Sequence, residues 1–350
     1  MPGNPLVSIL INNYNYASLL GEAIDSALGQ SYPHVEVVVV DDGSTDGSQR
    51  LIERYGAGVV PVLKANGGQC SAVNAGFTAS HGEIVCLLDS DDVFFPNKVE
   101  RVVAIFEQHP EIGWVKNNLS VTDGALRPLG ISVPNTHGSR LLRPKPRACL
   151  EDKTRFVVTS GLSLRRAAAD HYLPISATDL AEWRYSVDAY IGFWAAATGT
   201  CYELDEPLGY YRRQDHQRLL TDDDLVLWLE RQNTLEERFA RMWTAHTGQA
   251  QVGSDVYKHQ MIVESLRGTP KWSAARGRNL VRGLTQLAKV AGAEPQLAAR
   301  QAAALCFAFG APRAWVDRMR RSMALAQSQT PAVAGDGTRS MPRNSLHDFS

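Results

Sequence analysis

The sequence lacks the features of a membrane-spanning or disulfide-stabilised protein. No apolar run approaches the roughly 18–20 residues that a membrane-spanning helix needs, and the longest runs, at 191–197 and 302–309, fit buried helices better. Residues 1–5 contain no basic stretch leading into an apolar core, so no signal peptide is predicted. The five cysteines are scattered and form no Cys-x-x-Cys pair, which argues against a disulfide framework and a zinc knuckle. We therefore expect a cytoplasmic protein with reduced thiols.

An excess of charge of one sign is also missing from the chain as a whole. The 350 residues carry a net charge of −1. Residues 225–325, however, contain 15 Lys and Arg against 7 Asp and Glu, so this region has a charge of +8. The surplus predicts either a solvated basic helix face or a surface for an anionic partner, such as peripheral association with the inner face of the cell membrane. We expect no nucleic-acid partner.

The chain does contain a regular alternation of strands and helices. Short apolar runs at 6–11, 35–40, 59–63 and 84–88 predict four strands separated by helical segments. The β-branched run 35–40 is typical of a strand buried on both faces of a parallel sheet, and Ser44 is a candidate N-cap for the helix that follows it. This series predicts an α/β fold with a doubly wound, mostly parallel sheet flanked by helices.

Polar loops follow three of the predicted strands, at 12–15, 41–46 and 89–92. Ligands of doubly wound sheets bind at the carboxyl ends of the strands. We therefore expect the three loops to meet at one rim, which is the candidate binding site.

The second half of the chain is less regular. Residues 117–153 contain Pro and Gly and predict short strands and loops. A strand at 154–164, a helix at 186–198 and a terminal strand and loop at 201–213 are predicted to follow. After residue 221 the spacing of apolar residues becomes helical.

An acidic cluster stands out in the last of the three loops: Asp89, Asp91 and Asp92 follow directly after an apolar strand. Three carboxylates so close together repel one another unless a cation or a proton compensates them. Mg²⁺ and Mn²⁺ prefer oxygen ligands, and Mg²⁺ is commonly held by one or two carboxylates together with substrate phosphates. The acidic cluster therefore predicts a site for Mg²⁺ or Mn²⁺; the alternative is a solvated turn in which an aspartate caps the next helix.

Four segments resemble glycosyltransferase family 2, a family of inverting enzymes with the GT-A fold. They are 7–15 (VSILINNYN), 37–46 (VVVVDDGSTD), 66–76 (NGGQCSAVNAG) and 81–92 (HGEIVCLLDSDD), in the family's order and spacing. The resemblance implies a GT-A type, Rossmann-like sheet with a helical C-terminal extension. It also implies transfer of a sugar from a nucleoside-diphosphate sugar, with uridine diphosphate as the expected nucleotide, to an acceptor hydroxyl with inversion.

The resemblance also implies a division of the chain. Residues 1–220 would form the catalytic domain, in which 1–116 bind the nucleotide sugar and 117–220 form the acceptor side. Residues 221–326 would form a helical C-terminal region. Residues 327–350 are rich in Ser, Pro, Gly and Thr, a composition that predicts a disordered tail.

For the donor, the resemblance implies that Asn13 and Tyr14 border the base pocket and that Asp42 accepts a hydrogen bond from the base. A carboxylate can accept the imide N–H of uracil, and an aromatic ring can stack on its face. The alternative for the aspartates after the second strand is a turn held by their own side chains. Asn66 and Gly68 would line the nucleotide side of the cleft, where glycine permits close backbone approach to a ligand.

For the metal, the resemblance implies that Asp91 coordinates the divalent ion and that Asp89 contacts the ion or the ribose of the donor. Asp92 would orient the loop. A divalent ion at this place bridges diphosphate oxygens and stabilises the charge of the departing nucleoside diphosphate.

A candidate general base lies in the second half. The resemblance matches Asp188 with the family's catalytic aspartate, which removes the proton of the acceptor hydroxyl; the alternative is an aspartate that caps a helix. Val187 replaces the glutamate that usually precedes this aspartate. A second departure is Val73, at a position where the family often has an arginine that contacts the pyrophosphate.

The basic loop after the last predicted strand is a further candidate for donor binding. The resemblance implies that Arg212, Arg213 and His216 face the diphosphate, where arginine can make charge-assisted hydrogen bonds. The family's histidine commonly follows the arginine pair directly, whereas His216 lies two residues further on.

Other functions and several acceptors remain open. A retaining GT-A transferase would share the acidic cluster without needing Asp188 as a base, and a non-catalytic module would bind the nucleotide sugar without transferring it. A sugar-nucleotide pyrophosphorylase is disfavoured, because its Gly-rich N-terminal loop is replaced here by Asn-Asn-Tyr-Asn. The acceptor would be a glycan, a lipid-linked oligosaccharide or a protein side chain, with polysaccharide biosynthesis as the setting that the family suggests.

Overall fold

The structure, a computed structural model, describes most of the chain up to residue 213 and parts of the remainder. The described residues are 3–134, 136, 138–142, 157–213, 222–248, 260–263, 266–267, 274–290 and 306. Two sequence predictions, the role of His216 and the disordered tail at 327–350, lie outside them.

The described strands form a single sheet. They are β1 (Val7–Asn13), β2 (Val35–Asp41), β3 (Val60–Leu63), β4 (Ile84–Asp89), β5 (Val93–Phe94), β6 (Ile112–Thr122), β7 (Pro128–Val133), β8 (Arg140–Leu142), β9 (Leu162–Arg165) and β10 (Thr200–Arg212). Their order across the sheet is β3-β2-β1-β4-β9-β6-β10-β5, with β7 beside β6 and β8 beside β10.

The first half of the sheet has the predicted parallel arrangement. Strand β1 pairs in parallel with both β2 and β4, and β2 pairs in parallel with β3. Beyond β4 the pairing changes, because β9 runs antiparallel between β4 and β6. Strand β10 is then parallel to β6 and antiparallel to β5 and β8. The predicted α/β fold is confirmed, but the sheet is mixed where mostly parallel pairing was expected.

Helices cover both faces of this sheet. They are α1 (Ala17–Leu28), α2 (Ser48–Glu53), α3 (Gln69–Ala79), α4 (Lys98–Gln108), α5 (Arg166–Ala169), α6 (Ala177–Trp183), α7 (Val187–Thr198), α8 (Asp222–Thr247) and α9 (Ala274–Val290). None of the described helices is long and apolar enough to cross a membrane.

The valine run of β2 explains why both faces are covered. Side chains of a strand point alternately to opposite faces. Val37 and Val39 pack in the core that contains residues of α1 and α4, whereas Val38 and Val40 pack in the core that contains residues of α3 and α7. A run of four consecutive valines is therefore buried only because helices lie on each side of the strand.

Two local predictions are wrong. Ser44 does not cap α2, which begins further along the chain; its hydroxyl instead accepts the backbone N–H of Asn15 at 2.9 Å. In the described part of the strand predicted at 154–164, residues 157–164, the strand begins only at Leu162, because Thr159–Gly161 form a 3-10 turn. Ser160 in this turn is buried, and its hydroxyl bonds to the acidic cluster instead of facing solvent.

Helix α8 packs against α7, the helix that carries the candidate base. Phe239 of α8 stacks on Phe193 of α7 with ring centroids 5.2 Å apart, and it lies 5.2 Å from the ring of Trp183. Met242 and Trp243 of α8 are buried in the same core. The start of the C-terminal region is thus part of the packing around α7, although the domain boundary at 220 stays a prediction.

This packing predicts a large loss of stability for Phe239→Ala. Truncating a buried phenylalanine costs about 3–5 kcal/mol. Leu227→Ala is the matched control on the same helix, because the side chain of Leu227 is 62% exposed, and it should change stability by less than about 0.5 kcal/mol. Urea unfolding of the full chain measures both variants. Equally small losses would show that α8 does not pack on α7 in solution.

Candidate active site

The loops that follow β1, β2 and β4 meet at one rim of the sheet, as predicted. Asn12 donates its side-chain N–H to Oδ1 of Asp89 at 2.8 Å, and Asn13 donates to Oδ2 of Asp41 at 2.9 Å. The parallel register explains both bonds, because Asn12 lies opposite Asp89 and Asn13 lies opposite Asp41. The carboxyl ends of three strands therefore form one polar site.

The predicted base side of this rim is built around a turn. Oδ1 of Asp41 accepts the backbone N–H of Ser44 at 2.9 Å. Asp41 therefore stabilises a turn with its own side chain, which is the alternative given for this aspartate in the sequence analysis. Asn13 is buried, and its Oδ1 has no hydrogen-bond partner among the described residues. A buried acceptor without a donor is costly, so a ligand N–H or O–H would be favourable there. The ring of Tyr14 is 47% exposed.

Asp42 bonds to the protein rather than facing solvent. Its carboxylate is buried, pairs with Lys64 and accepts the backbone N–H groups of Gly67 and Gly68 at 2.9 and 2.7 Å. These bonds hold the glycine loop that precedes α3. The proposed bond from Asp42 to a base stays a prediction, and its oxygens already have protein partners in this structure.

Gly68 lies where only glycine fits. Its φ of 86° is in the left-handed region, and a Cβ atom there would lie 2.3 Å from Cγ of Arg184. Arg184 also donates from Nη2 to Oδ1 of Asn66 at 2.7 Å. The predicted nucleotide-side residues Asn66 and Gly68 are therefore covered by a side chain from the second half of the chain.

Asp89 lies between polar donors and other carboxylates. Its Oδ1 accepts Nε2 of Gln69 at 3.0 Å as well as the bond from Asn12. Burial, followed by the charges of Asp91 and Asp188, raises the pKa of Asp89 to about 7. The residue after Gln69, Cys70, donates its backbone N–H to the carbonyl oxygen of Arg184 at 3.1 Å, so the segment that leads to Asp188 borders the same end of α3.

Asp92 is buried and holds the acidic cluster to the rest of the sheet. Its carboxylate accepts the hydroxyl of Ser160 at 2.6 Å and the backbone N–H of Arg212 at 2.9 Å. Ser160 in turn accepts the backbone N–H of Asp89 at 3.0 Å. Burial raises the pKa of Asp92 well above its ordinary value, and the charges of its neighbouring aspartates add to the effect. These contacts agree with a role for Asp92 in orienting the loop.

Arg212 is buried, and its guanidinium is engaged by the protein. Nε donates to the carbonyl oxygen of Asp91 at 2.9 Å, and Nη2 donates to Glu22 at 2.8 Å. Nη1 donates to the carbonyl oxygen of Gly124. This geometry supports the acidic cluster and gives no support to a diphosphate contact from Arg212. Arg213, the next residue, is half-buried at the end of the strand.

Asp188 lies half-buried in the first turn of α7. Ser186 is at the N-cap position but makes no side-chain cap bond, and Oδ1 of Asp188 accepts the backbone N–H of Ala189 in the first turn at 2.7 Å. The role of Asp188 as a base and its alternative role at the helix end both stay predictions. Besides its effect on Asp89, the charge of Asp188 contributes to raising the pKa of the Cys70 thiol, on which burial is the largest effect. Asp188 thus lies near the start of α3 as well as near the acidic cluster.

Two further residues of this site, Tyr16 and Gln69, were not predicted from the sequence. Burial, followed by the charges of the acidic cluster, raises the pKa of Tyr16 to about 12, so its phenol lies beside these carboxylates. Gln69 bonds to Asp89, as described above. Gln69 lies inside a segment that resembles the family, 66–76, so the sequence could have marked it as a candidate site residue. Nothing in the local pattern distinguishes Tyr16 from the other polar residues of its loop.

The acidic cluster fits a divalent cation that shares its ligands with a substrate. Among the described residues, no group of three or more His, Cys, Asp or Glu side chains could hold a metal ion by itself. Asp89 and Asp91 are both partly accessible, and mutual repulsion of this kind is what a cation relieves. Mg²⁺ is often held by one or two carboxylates plus substrate phosphates, and this pair fits that mode.

Comparison with known proteins supports the family resemblance over the N-terminal half of the chain. Residues 8–173 match the model of glycosyl transferase family 2, and this segment contains the rim, the acidic cluster and Ser160. The uncharacterized glycosyltransferase alr2836 of Nostoc sp. is 38% identical over 212 residues, which are 59% of this chain and 64% of that protein. Residues 8–173 are therefore similar to glycosyltransferase family 2, the family that the sequence motifs resemble.

Other relatives match over shorter segments. Chondroitin synthase of Pasteurella multocida is 37% identical over 142 residues, which are 39% of this chain and 15% of the synthase. An uncharacterized glycosyltransferase of Rickettsia prowazekii, RP339, is 43% identical over 105 residues, or 33% of its length. The chain therefore spans less than two-thirds of each of these relatives, alr2836 included.

The fold has counterparts among solved structures. Staphylococcus aureus TarS matches 87% of this chain and 52% of its own, with a TM-score of 0.53 at 16% identity. A structure of TarS residues 1–349 matches 83% of this chain with a TM-score of 0.50. At this identity the likeness concerns the fold alone, and the predicted GT-A type, Rossmann-like fold is confirmed.

The raised pKa of Asp89 predicts that the stability of the metal-free protein depends on pH. The pKa of this carboxyl rises from 3.8 to about 7. Its contribution to stability is therefore complete below about pH 4 and is lost as the pH rises through about 7. In EDTA, the melting temperature should fall between about pH 5 and about pH 8.

Asp89→Asn should make this fall less steep, because its amide oxygen can still accept the bonds from Asn12 and Gln69 but cannot ionise. Part of the fall should remain, since the pKa of Asp92 is also raised. Asp170→Asn is the control, since Asp170 is exposed and distant in sequence from the acidic cluster. Thermal unfolding across the pH range measures all three proteins. A profile of Asp89→Asn parallel to that of the wild type would contradict the assignment.

Proposed function

We propose that the protein transfers a sugar from a nucleoside-diphosphate sugar to an acceptor hydroxyl with inversion at the anomeric carbon. Uridine diphosphate is the proposed nucleotide, and Mg²⁺ or Mn²⁺ is the proposed cofactor. One observation carries the proposal: the start of α3 contacts both sides of the site. Gln69 bonds to Asp89 at 3.0 Å, and the next residue, Cys70, bonds to the carbonyl oxygen of Arg184 at 3.1 Å, four residues before Asp188. The segment of the candidate base and the candidate metal ligands thus border one helix end, and the match to the family model supports the transfer reaction.

The residues of this cleft divide the proposed reaction between them. The carboxylate of Asp188 takes the proton of the acceptor hydroxyl as its oxygen bonds to the anomeric carbon. The bond from that carbon to the diphosphate breaks, and the departing nucleoside diphosphate keeps the electron pair. Asp89 and Asp91 would hold the divalent cation, which stabilises negative charge on the diphosphate.

The nucleoside would lie at the other end of the rim. The exposed ring of Tyr14 can stack on a base. The buried Oδ1 of Asn13 can accept an N–H or O–H group of the nucleoside, which would remove the cost of its missing partner. Both contacts use groups that the described protein leaves accessible or unsatisfied.

Donor binding, turnover and product stereochemistry together separate two other functions from this proposal. A screen of nucleotide sugars for protection against thermal unfolding identifies the donor, since a ligand at a hundred times its Kd adds about 2.7 kcal/mol. Donor binding without transfer or hydrolysis would indicate a non-catalytic module. A product that keeps the anomeric configuration of the donor would indicate a retaining transferase.

The acceptor is proposed to be a glycan, a lipid-linked oligosaccharide or a protein side chain. Peripheral association with an anionic membrane surface would suit a lipid-linked acceptor. Helix α9 supports this, because it contains four basic residues and no acidic one, and two of them, Arg278 and Arg282, are exposed. Co-flotation with vesicles of anionic and of neutral lipid tests the association, and equal binding to both would contradict it.

The metal assignment predicts the behaviour of Asp91→Asn. Uridine diphosphate should bind more tightly with Mg²⁺ or Mn²⁺ than in EDTA, and Asp91→Asn should remove most of this difference, because an amide is a weaker ligand than a carboxylate. Asp170→Asn should keep the wild-type difference. Titration calorimetry measures the affinities. Equal metal dependence in the wild type and Asp91→Asn would rule out Asp91 as a ligand.

The base assignment predicts that Asp188→Asn loses turnover and keeps binding. Transfer should fall by roughly 10²–10⁴-fold, the usual contribution of general acid–base catalysis. Donor affinity and melting temperature should stay near wild type, because the amide has the same size as the carboxyl. Asp170→Asn is again the control, and its turnover should be unchanged. Near-normal transfer by Asp188→Asn would exclude Asp188 as the base and direct attention to Asp179, Glu182 and Asp215, the last of which lies outside the described residues.

A further inference from the structure

Two basic side chains on the donor side of the cleft are already paired with carboxylates, which makes them poor candidates for binding a diphosphate. Val73 stands where the family often has an arginine, and it is buried in the core. Lys64 pairs with the carboxylate of Asp42, and Arg212 pairs with Glu22. These two cations are already neutralised by carboxylates of the protein.

Arg184 is in a different position. Its side chain is exposed, its Nη2 donates to the amide oxygen of Asn66 at 2.7 Å, and its guanidinium lies 5.2 Å from the ring centre of Tyr185. Its carbonyl oxygen accepts the N–H of Cys70 at 3.1 Å, which anchors this backbone to the start of α3. Among the described residues, the contacts of the guanidinium are with a neutral amide and an aromatic ring, not with a carboxylate.

The place that Arg184 covers lies between the two ends of the proposed donor site. The N–H of Gly68 bonds to Asp42 on the nucleoside side at 2.7 Å. The next residue, Gln69, bonds through its side chain to Asp89 on the metal side at 3.0 Å. A diphosphate that joins a nucleoside to a sugar and also contacts the metal would pass between these ends, and the side chain of Arg184 packs directly on Gly68.

We infer that Arg184 binds the diphosphate of the donor, in place of the arginine that Val73 replaces. A guanidinium has five N–H donors, so Arg184 can contact phosphate oxygens while it keeps or exchanges its bond to Asn66. Arg184 precedes Asp188 by four residues. A diphosphate bound to Arg184 therefore also holds the donor next to the segment that carries the candidate base. This inference rests on the proposed function, since it concerns the same donor.

The test compares uridine diphosphate with uridine on the full-length protein. Calorimetry with Mg²⁺ measures the diphosphate, and ligand-observed NMR measures the weakly binding nucleoside. Arg184→Gln should weaken uridine diphosphate about 10- to 100-fold, as expected for the loss of charge-assisted hydrogen bonds, and should leave uridine unchanged. Arg184→Lys keeps the charge and should recover part of the loss. The wild-type affinity for the diphosphate should also fall more steeply with salt than that of Arg184→Gln.

The matched control is Arg101→Gln, which also removes one positive charge. Arg101 lies in α4 and pairs with Glu206, outside the cleft, and its loss should leave both ligands unchanged. Equal affinity of the wild type and Arg184→Gln for uridine diphosphate would overturn the inference and leave the proposed function standing. Equal weakening of uridine and uridine diphosphate would show that Arg184 only holds Asn66 in place, and would overturn it as well. A wild type that binds no nucleoside diphosphate would overturn both proposals.

Discussion

The confinement of three carboxylates at the end of a buried strand is the constraint on which this site depends. Strand β4 carries them to the rim, and their repulsion must be compensated there. The protein compensates it with hydrogen-bond donors: Asn12 and Gln69 bond to Asp89, and Ser160 bonds to Asp92. These donors come from β1, from α3 and from the turn before β9, so the acidic cluster is held only when the sheet is assembled.

The mixed half of the sheet has a direct role in this arrangement. Strand β9 pairs antiparallel with β4, with Cys86 opposite Ser163. The turn that precedes β9 therefore lies beside the carboxyl end of β4, where Ser160 reaches the acidic cluster. A parallel strand in this position would bring its other end to the rim. The departure from a purely parallel sheet thus supplies a donor to the site and joins the two halves of the cleft.

The candidate site was predictable where its chemistry is local. The acidic cluster and the rim of three loops could be located because each is a short polar run at the end of a strand, whereas Asp188 was selected through the family resemblance and its role stays a prediction. Arg212 shows the limit of this reasoning. Its place after the last strand suggested a ligand contact, whereas its guanidinium is bonded to Glu22 and to two backbone carbonyls. Asp42 differs in the same way, because its partners are Lys64 and backbone N–H groups.

The sequence by itself determined the first four parallel strands of the chain, β1 to β4, and the rim at their ends, because the burial period of a strand and the polar ends of strands are properties of neighbouring residues. Only the tertiary structure decided which polar groups meet. Arg184 bonds to Asn66 across 118 positions, and Ser160 bonds to Asp92 across 68. Such partners depend on strand pairing and helix packing, and no local pattern encodes them.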